Sequence, residues 1–153
     1  MFRSLMIGAV SAAVLTMAAT AFAQQAKYGT AAEAKTMLEK AVAAVKADKA
    51  KAIEMFNKGE GGFKDRDLQP FCFNMSDGKI VAATVPSALN TDVKALKDKT
   101  GKVFGEEVFK AAEDGKINEV SYMFPRPGET EPAPKTSFIT KVGDLGCGVG
   151  YFK

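Results

Sequence analysis

The sequence predicts an α+β domain in which one long amphipathic helix packs against a sheet of five antiparallel strands. Apolar residues recur at helical spacing from about residue 31 to residue 57. Beyond residue 70 the pattern changes to alternation, first in two short runs around an Asp-Gly turn and later in three runs at the end of the sequence. A helix, a hairpin, a short helical crossing and a meander in this order are typical of that class.

The predicted first helix begins at a capping-box pattern, in which Thr30 is followed three residues later by Glu33. Its apolar stripe consists of Met37, Leu38, Ala41, Val42, Val45, Ile53 and Phe56. The lysines between these positions are predicted to form a solvated face, which is also a candidate surface for a homodimer. The glycines of residues 59–62 predict a flexible break after the helix.

The first two strands are predicted at residues 71–75 and 80–84, on either side of the Asp-Gly hairpin turn. The stretch 86–100 is predicted to be a loop with a helical turn near residues 93–96. Helical spacing over residues 103–113 predicts a second helix, and Gly115 stands just beyond it in a helix-stopping position.

The last third of the sequence predicts a three-stranded meander. Its strands are expected at residues 120–124, 135–142 and 145–151. In the last of these, Gly146, Gly148 and Gly150 share one face because side chains alternate along a strand. Such a face lets another group approach the backbone closely, and that group is either the first helix or a ligand on the opposite side.

The first 23 residues have the pattern of a secretory signal peptide. A single charge at Arg3 precedes a run of apolar and small residues, and Ala21-Phe22-Ala23 is a small-x-small cleavage site. The alternative is an uncleaved anchor, since the run approaches the roughly 18 to 20 apolar residues that span a membrane. We predict cleavage near Ala23, leaving one periplasmic or secreted domain of residues 24–153 without a membrane span.

The composition excludes several classes of function. The 21 basic and 18 acidic residues are spread along the chain, so no basic block is available for nucleic acid. The chain has no histidine, which removes imidazole-based zinc sites, Cys-x-x-Cys-His haem attachment and Ser-His or Cys-His nucleophilic pairs. No Walker loop is present, and carboxylates such as Glu106, Glu107 and Asp114 are explained by an exposed helix face. We predict no cofactor, no metal and no enzymatic activity.

Cys72 and Cys147 are the only two cysteines of the sequence. Thiols tend to pair in the oxidising compartment to which a signal peptide leads. A bridge would close a loop of about 76 residues, which contributes about 3 to 5 kcal/mol in the chain-entropy account. Two buried free thiols are the alternative. Both cysteines lie in strand-like runs, and we predict the disulfide.

Two long stretches resemble the single Cache domain family, type 2. "DLQPFCFNMSDGKIVAATVPSALNTDVKAL", residues 67–96, is similar to the first hairpin and following loop of the family, and residues 99–153 resemble its second half. A tyrosine, aromatic, proline, x, proline, glycine motif and a following lysine and serine are matched by Tyr122, Phe124, Pro125, Pro127, Gly128, Lys135 and Ser137. The resemblance implies a PAS-like Cache fold for residues 24–153.

The resemblance also implies a function, since this family senses small molecules outside the cytoplasm, usually as part of chemoreceptors or histidine kinases. The sequence differs from the usual family pattern at Thr84-Val85-Pro86, where many members have a histidine before the proline, and it ends at Lys153 without a signalling domain. The expected function is therefore a sensing module without its own signalling domain. The alternative is an interaction or structural module that binds the outer domain of a membrane receptor and has no ligand of its own.

Aromatic and cationic residues of the predicted strands form a candidate pocket, since a small polar ligand needs apolar walls and one or two fixed charges. Arg126 follows Tyr122 and Phe124 at the same two-residue spacing, so it would lie on their face of the third strand. An arginine or lysine there can hold a carboxylate. The alternatives are ordinary core for the aromatic residues and a solvated loop edge for the cations. The predicted ligand is a small organic anion, either a short carboxylate or an amino acid. The predicted ligand-binding residues are Phe71, Phe73, Tyr122, Phe124, Arg126, Lys135 and Ser137.

Overall fold

Helices and strands follow one another in nearly the predicted order in the computed structural model, which describes residues 26–153. The predicted signal peptide lies outside the described residues. The α-helices are α1 (Ala31–Ala47), α2 (Lys49–Lys58) and α3 (Gly105–Ala111). The strands are β1 (Pro70–Asn74), β2 (Ile80–Ala82), β3 (Asn118–Pro125), β4 (Pro132–Val142) and β5 (Leu145–Phe152). Two short 3-10 helices, Pro86–Ala88 and Val93–Ala95, precede α3.

The five strands form one antiparallel sheet in the order β2-β1-β5-β4-β3. The hairpin β1-β2 and the meander β3-β4-β5 are both present, and pairing of β1 with β5 joins them. This arrangement places β5 at the centre of the sheet, with two strands on either side. The predicted α+β class, with helix packed on a five-stranded antiparallel sheet, is confirmed.

The predicted single helix over residues 31–57 is divided at Asp48, and in this respect the prediction was wrong. The backbone of Asp48 is extended, and its N–H donates to the carbonyl of Ala44 at the end of α1. Its side chain accepts from the N–H of Lys51 at 3.0 Å and so caps α2. A short polar side chain competes with the helical hydrogen bonds in this way. The apolar stripe nevertheless continues across the break, because Ala52 and Phe56 are both fully buried.

The face of the sheet that α1 and α2 cover contains the predicted disulfide. Cys72 of β1 and Cys147 of β5 are direct cross-strand partners, with Cα atoms 4.1 Å apart. Both residues are fully buried in the apolar cluster that includes Leu38 and Phe56. The bridge between Cys72 and Cys147 is confirmed, and it fastens the hairpin to the centre of the sheet.

The opposite face of the sheet carries the three glycines of β5. Phe73 lies directly across from Gly146, and Phe71 lies across from Gly148. A Cβ at Gly146 would stand 2.3 Å from the Phe73 ring, and one at Gly148 would stand 2.7 Å from the Phe71 ring. The bare strand therefore leaves room for two aromatic rings on the side away from α1. Of the two alternatives that the sequence left open, contact with the first helix is excluded.

Candidate ligand-binding site

A cavity of about 220 Å³ lies against the sheet face opposite α1. The sheet contributes side chains from β1, β2, β3 and β4, and Gly150 contributes a patch of bare backbone from β5. The sheet residues that line the cavity are Phe71, Ile80, Tyr122, Phe124, Lys135 and Gly150. The volume suits a small organic molecule and falls below the range of drug-sized sites.

The segment between β2 and β3 covers the cavity from the other side. The residues that it contributes are Ala83, Thr84, Val85 and Ala88 around the first 3-10 helix, and Leu96, Lys97, Phe104 and Val108 further along. Asp98 holds this segment in place, because its carboxylate accepts hydrogen bonds from Thr100 Oγ1 at 2.6 Å and the Lys102 N–H at 3.0 Å within the segment, and from the Met123 N–H of β3 at 3.3 Å. These bonds lower the pKa of Asp98, with the Thr100 side chain the largest contribution. The covering segment is thus anchored at a carboxylate that stays ionised.

Aromatic rings stacked on one another form one wall. Tyr122 stacks on Phe104 with ring centroids 4.1 Å apart and an angle of 6° between the planes. Phe124 lies edge-on to Tyr122 at 6.3 Å. The Tyr122 hydroxyl shares a hydrogen bond of 2.7 Å with Ser137 Oγ. Burial raises the pKa of Tyr122 to about 12, opposed by the bond to Ser137, so the wall contains a neutral phenol.

Lys135 places a positive charge against this wall. Its Nζ lies 5.0 Å from the ring centroid of Phe124 and 4.8 Å from that of Phe152, its direct partner across β4 and β5. Within residues 26–153 this ammonium group has neither a hydrogen bond nor an ion pair. Burial lowers the pKa of Lys135 to about 8, and the charge of Asp67 opposes this shift. An ammonium group thus lines the cavity with aromatic neighbours and makes no ion pair with the described residues.

Asp67 supplies a negative charge to the same cavity, and it was missed in the sequence because it precedes β1 outside any periodic pattern. The N–H of Gly29 donates to its Oδ1 at 2.6 Å. Its Oδ2 is buried and has no hydrogen-bond partner among the described residues. The neighbouring Gln69 also lines the cavity, but its Nε2 donates to the carbonyl of Phe56 at 2.6 Å.

Four of the seven predicted ligand-binding residues, Phe71, Tyr122, Phe124 and Lys135, line the cavity. Phe73 and Ser137 are fully buried behind this lining, where Phe73 packs 5.8 Å from the Phe109 ring and Ser137 bonds to Tyr122.

Arg126 does not line the cavity, because β3 ends at Pro125 and the strand parity that links Tyr122 to Arg126 ends with it. The guanidinium group of Arg126 lies 5.3 Å from the ring centroids of both Tyr28 and Phe152. Its Nη2 donates to the carbonyl of Lys153 at 3.1 Å. Arg126 therefore fastens the end of β5 to the segment before α1.

The part of the chain that the structure describes contains no group of three or more side chains that could ligate a metal ion. Nor does any helix within it have the length and apolar character to cross a membrane. The lining residues with titratable side chains are Lys135, Asp67, Lys97 and Tyr122.

Comparison with known families places these features in context. Residues 13–153 match the model of the double Cache, type 2 group, described as a Cache domain. The chain belongs to the Cache domain family. The predicted family is confirmed, whereas the match does not support the predicted single Cache, type 2, subtype. No curated protein of similar sequence was found.

Solved structures support the same fold for this Cache domain. A methyl-accepting chemotaxis protein from Vibrio parahaemolyticus is 20% identical with a TM-score of 0.62, over 79% of this chain and 86% of that one. A periplasmic sensor domain of a chemotaxis protein is 21% identical with a TM-score of 0.59, over 77% and 86%. A Cache chemosensory domain that recognises carboxylic acids is 19% identical with a TM-score of 0.54, over 77% and 84%. At these identities the likeness concerns the fold alone.

Proposed function

We propose that this Cache domain is a periplasmic binding and sensing module for a short organic carboxylate, exported by its signal peptide. The observation that carries the proposal is the ammonium group of Lys135, which lines an aromatic cavity and makes neither a hydrogen bond nor an ion pair with the described residues. Its role is to bind, and no catalytic step is assigned to it.

The energetics of Lys135 favour an anionic ligand. A buried charge is costly unless it is paired, and the pKa of Lys135 is lowered to about 8 because burial disfavours its charged form. A carboxylate in the cavity would accept charge-assisted hydrogen bonds from the ammonium group. It would thereby compensate for the solvation that Lys135 loses on folding.

The apolar lining favours a short carbon chain behind the carboxylate. Phe71, Tyr122 and Phe124 would contact that chain, and Phe104 would cover it from the α3 side. Ser137 would act indirectly, by holding the Tyr122 hydroxyl. The likeness in fold to a chemosensory domain that recognises carboxylic acids and to a periplasmic sensor domain supports the assignment.

The experiment that tests the proposal is thermal unfolding of the purified, oxidised protein with acetate, propionate, butyrate and pyruvate, followed by calorimetric titration of each hit. A ligand at about a hundred times its dissociation constant adds about 2.7 kcal/mol of stability. For a domain of this size the midpoint would rise by several degrees.

Two variants locate the site. K135A is expected to weaken carboxylate binding by about 1.5 to 3 kcal/mol, because it removes a charge-assisted hydrogen bond. The matched control is K97A, since Lys97 also lines the cavity but is exposed, and its solvated charge contributes little. Equal affinity of K135A and the unmodified protein would remove Lys135 from the site. A folded protein that binds no carboxylate would contradict the proposal and favour the interaction module that binds a membrane receptor.

A further inference from the structure

We propose that Asp67 is a second ligand-binding residue, and that the ligand is a carboxylate carrying a hydrogen-bond donor, either a hydroxyl or an ammonium group. This inference rests on the proposed function, because it concerns the same cavity. It adds an acceptor at Asp67 to the cation at Lys135, and so defines the chemistry at both ends of the ligand.

The position of the Asp67 carboxylate is determined by the chain before α1. The Gly29 N–H donates to Asp67 Oδ1 at 2.6 Å. This approach requires a glycine, because a Cβ at position 29 would stand 2.3 Å from the side chain of Leu68. One oxygen of the carboxylate is therefore committed to the backbone.

The second oxygen lacks a donor from the protein. Asp67 Oδ2 is buried and has no hydrogen-bond partner among residues 26–153. Gln69, the polar neighbour on the cavity wall, uses its amide to bond the carbonyl of Phe56. Buried carboxylate oxygens without a partner are rare in proteins because desolvation is not repaid, and such an atom calls for an explanation.

Lys135 does not supply the missing donor directly. The two side chains line the same cavity, and the charge of Asp67 raises the pKa of Lys135 against the effect of burial. Yet Lys135 makes no ion pair with Asp67 or any other described residue. Lys135 and Asp67 carry opposite charges in one cavity without touching each other. A molecule that places an anionic group against Lys135 and a hydrogen-bond donor against Asp67 would provide a partner for both.

Matched ligands test this inference on the purified protein. Butyrate is compared with 2-, 3- and 4-hydroxybutyrate and with 2-, 3- and 4-aminobutyrate, so that the donor is moved along a constant chain. At least one donor-bearing acid is expected to bind about tenfold more tightly than butyrate or better, as for a hydrogen bond to a charged group. Preference for the hydroxy or the amino series identifies the donor.

Asp67→Asn is the matched variant, because it keeps an oxygen for the Gly29 N–H and replaces the other with an amide NH₂ that cannot accept. It is expected to lower the affinity for the donor-bearing acid to about the affinity for butyrate, so that the preference is lost. Glu60→Gln, at an exposed position that does not line the cavity, is the control and is expected to change neither.

The outcomes separate this inference from the function on which it rests. Binding of butyrate with no advantage for any donor-bearing acid overturns the role of Asp67 and leaves the carboxylate site standing. A preference that persists in Asp67→Asn also overturns it, because the donor is then recognised elsewhere. Binding of none of the acids contradicts the proposed function itself. If the variant does not fold, the absence of any preference in the unmodified protein still overturns the role of Asp67.

Discussion

Lys135 shows how one residue can serve binding at a cost to folding. Its ammonium group is close to the rings of Phe124 and Phe152, whose π faces attract a cation but replace only part of its hydration. A hydrophobic residue of similar length would fit the same wall without that cost. The charge is therefore better explained by a ligand than by stability.

The unfolding free energy should depend on pH through Lys135. Its pKa is lowered from 10.5 to about 8 by burial, so between these values the unfolded chain binds more protons than the folded one. Stability therefore rises with pH across this window, and the cost of the buried ammonium is fully present below it. We expect K135M to be more stable than the unmodified protein at pH 7, with the difference shrinking towards pH 10.5.

Urea unfolding of both proteins at several pH values measures this difference. Changes common to the two proteins report other groups and cancel in the comparison. A difference that stays constant with pH would mean that Lys135 keeps its ordinary proton affinity and is well solvated in the folded state.

At the scale of elements, β5 combines two requirements in one strand. Leu145, Cys147 and Val149 are buried under α1, whereas the glycines of β5 face the other way. Gly146 and Gly148 accommodate the rings of β1, and Gly150 opens the cavity. Three residues that look equivalent in the sequence therefore have two different roles.

Alanine substitutions should separate these roles. In G146A the new Cβ would stand 2.3 Å from the Phe73 ring and 3.0 Å from Ala112, and such overpacking costs about 1 to 3 kcal/mol. In G150A it would stand 2.6 Å from Lys135 Cε, near the end of a flexible side chain, and 2.7 Å from Ser137 Oγ, so G150A should also lose stability. In addition, displacement of Lys135 in G150A should weaken carboxylate binding, which G146A should leave unchanged. Thermal unfolding and calorimetric titration of both variants measure the two effects, and undiminished binding by G150A would contradict a site at Lys135.

At the scale of the whole molecule, the disulfide joins the hairpin β1-β2 to the meander β3-β4-β5. Cys72 and Cys147 are 75 residues apart in sequence, so the bridge closes a long loop of the unfolded chain. The sulfur atoms lie in the α1-side cluster, and the cavity is on the opposite face. The bridge therefore serves stability and takes no direct part in the proposed site.

Removing the bridge should destabilise the fold without removing the site. C72A/C147A is expected to lower the unfolding free energy by about 2 to 5 kcal/mol, as for native disulfides of small exported domains. Urea unfolding of the variant and the oxidised protein measures the change, and carboxylate titration below the unfolding transition checks that the affinity is retained. Equal stability of the two would show that cross-strand packing alone holds β1 against β5.

The sequence by itself was sufficient for those features that depend on local chemistry. Period-two and helical spacing predicted the strands and helices, because each element must bury one face. The capping box at Thr30 and Glu33 follows from backbone groups that need partners. The predicted stop at Gly115 was not found, because α3 ends earlier, at Ala111, and is capped by Ala112. The disulfide followed from the even cysteine count and the predicted compartment. The helix break at Asp48 was missed, since the apolar stripe continues across it.

The tertiary structure alone decided which residues surround the cavity. Phe71 and Phe73 share a strand face, yet only Phe71 lines it, because α3 packs over the other end of β1. Asp67 and Phe104 come from segments without a strand pattern and reach the site through contacts with distant parts of the chain. Periodicity determines which face a side chain takes within its own element. The position of a cavity between two elements depends on long-range packing, and no local sequence pattern encodes it.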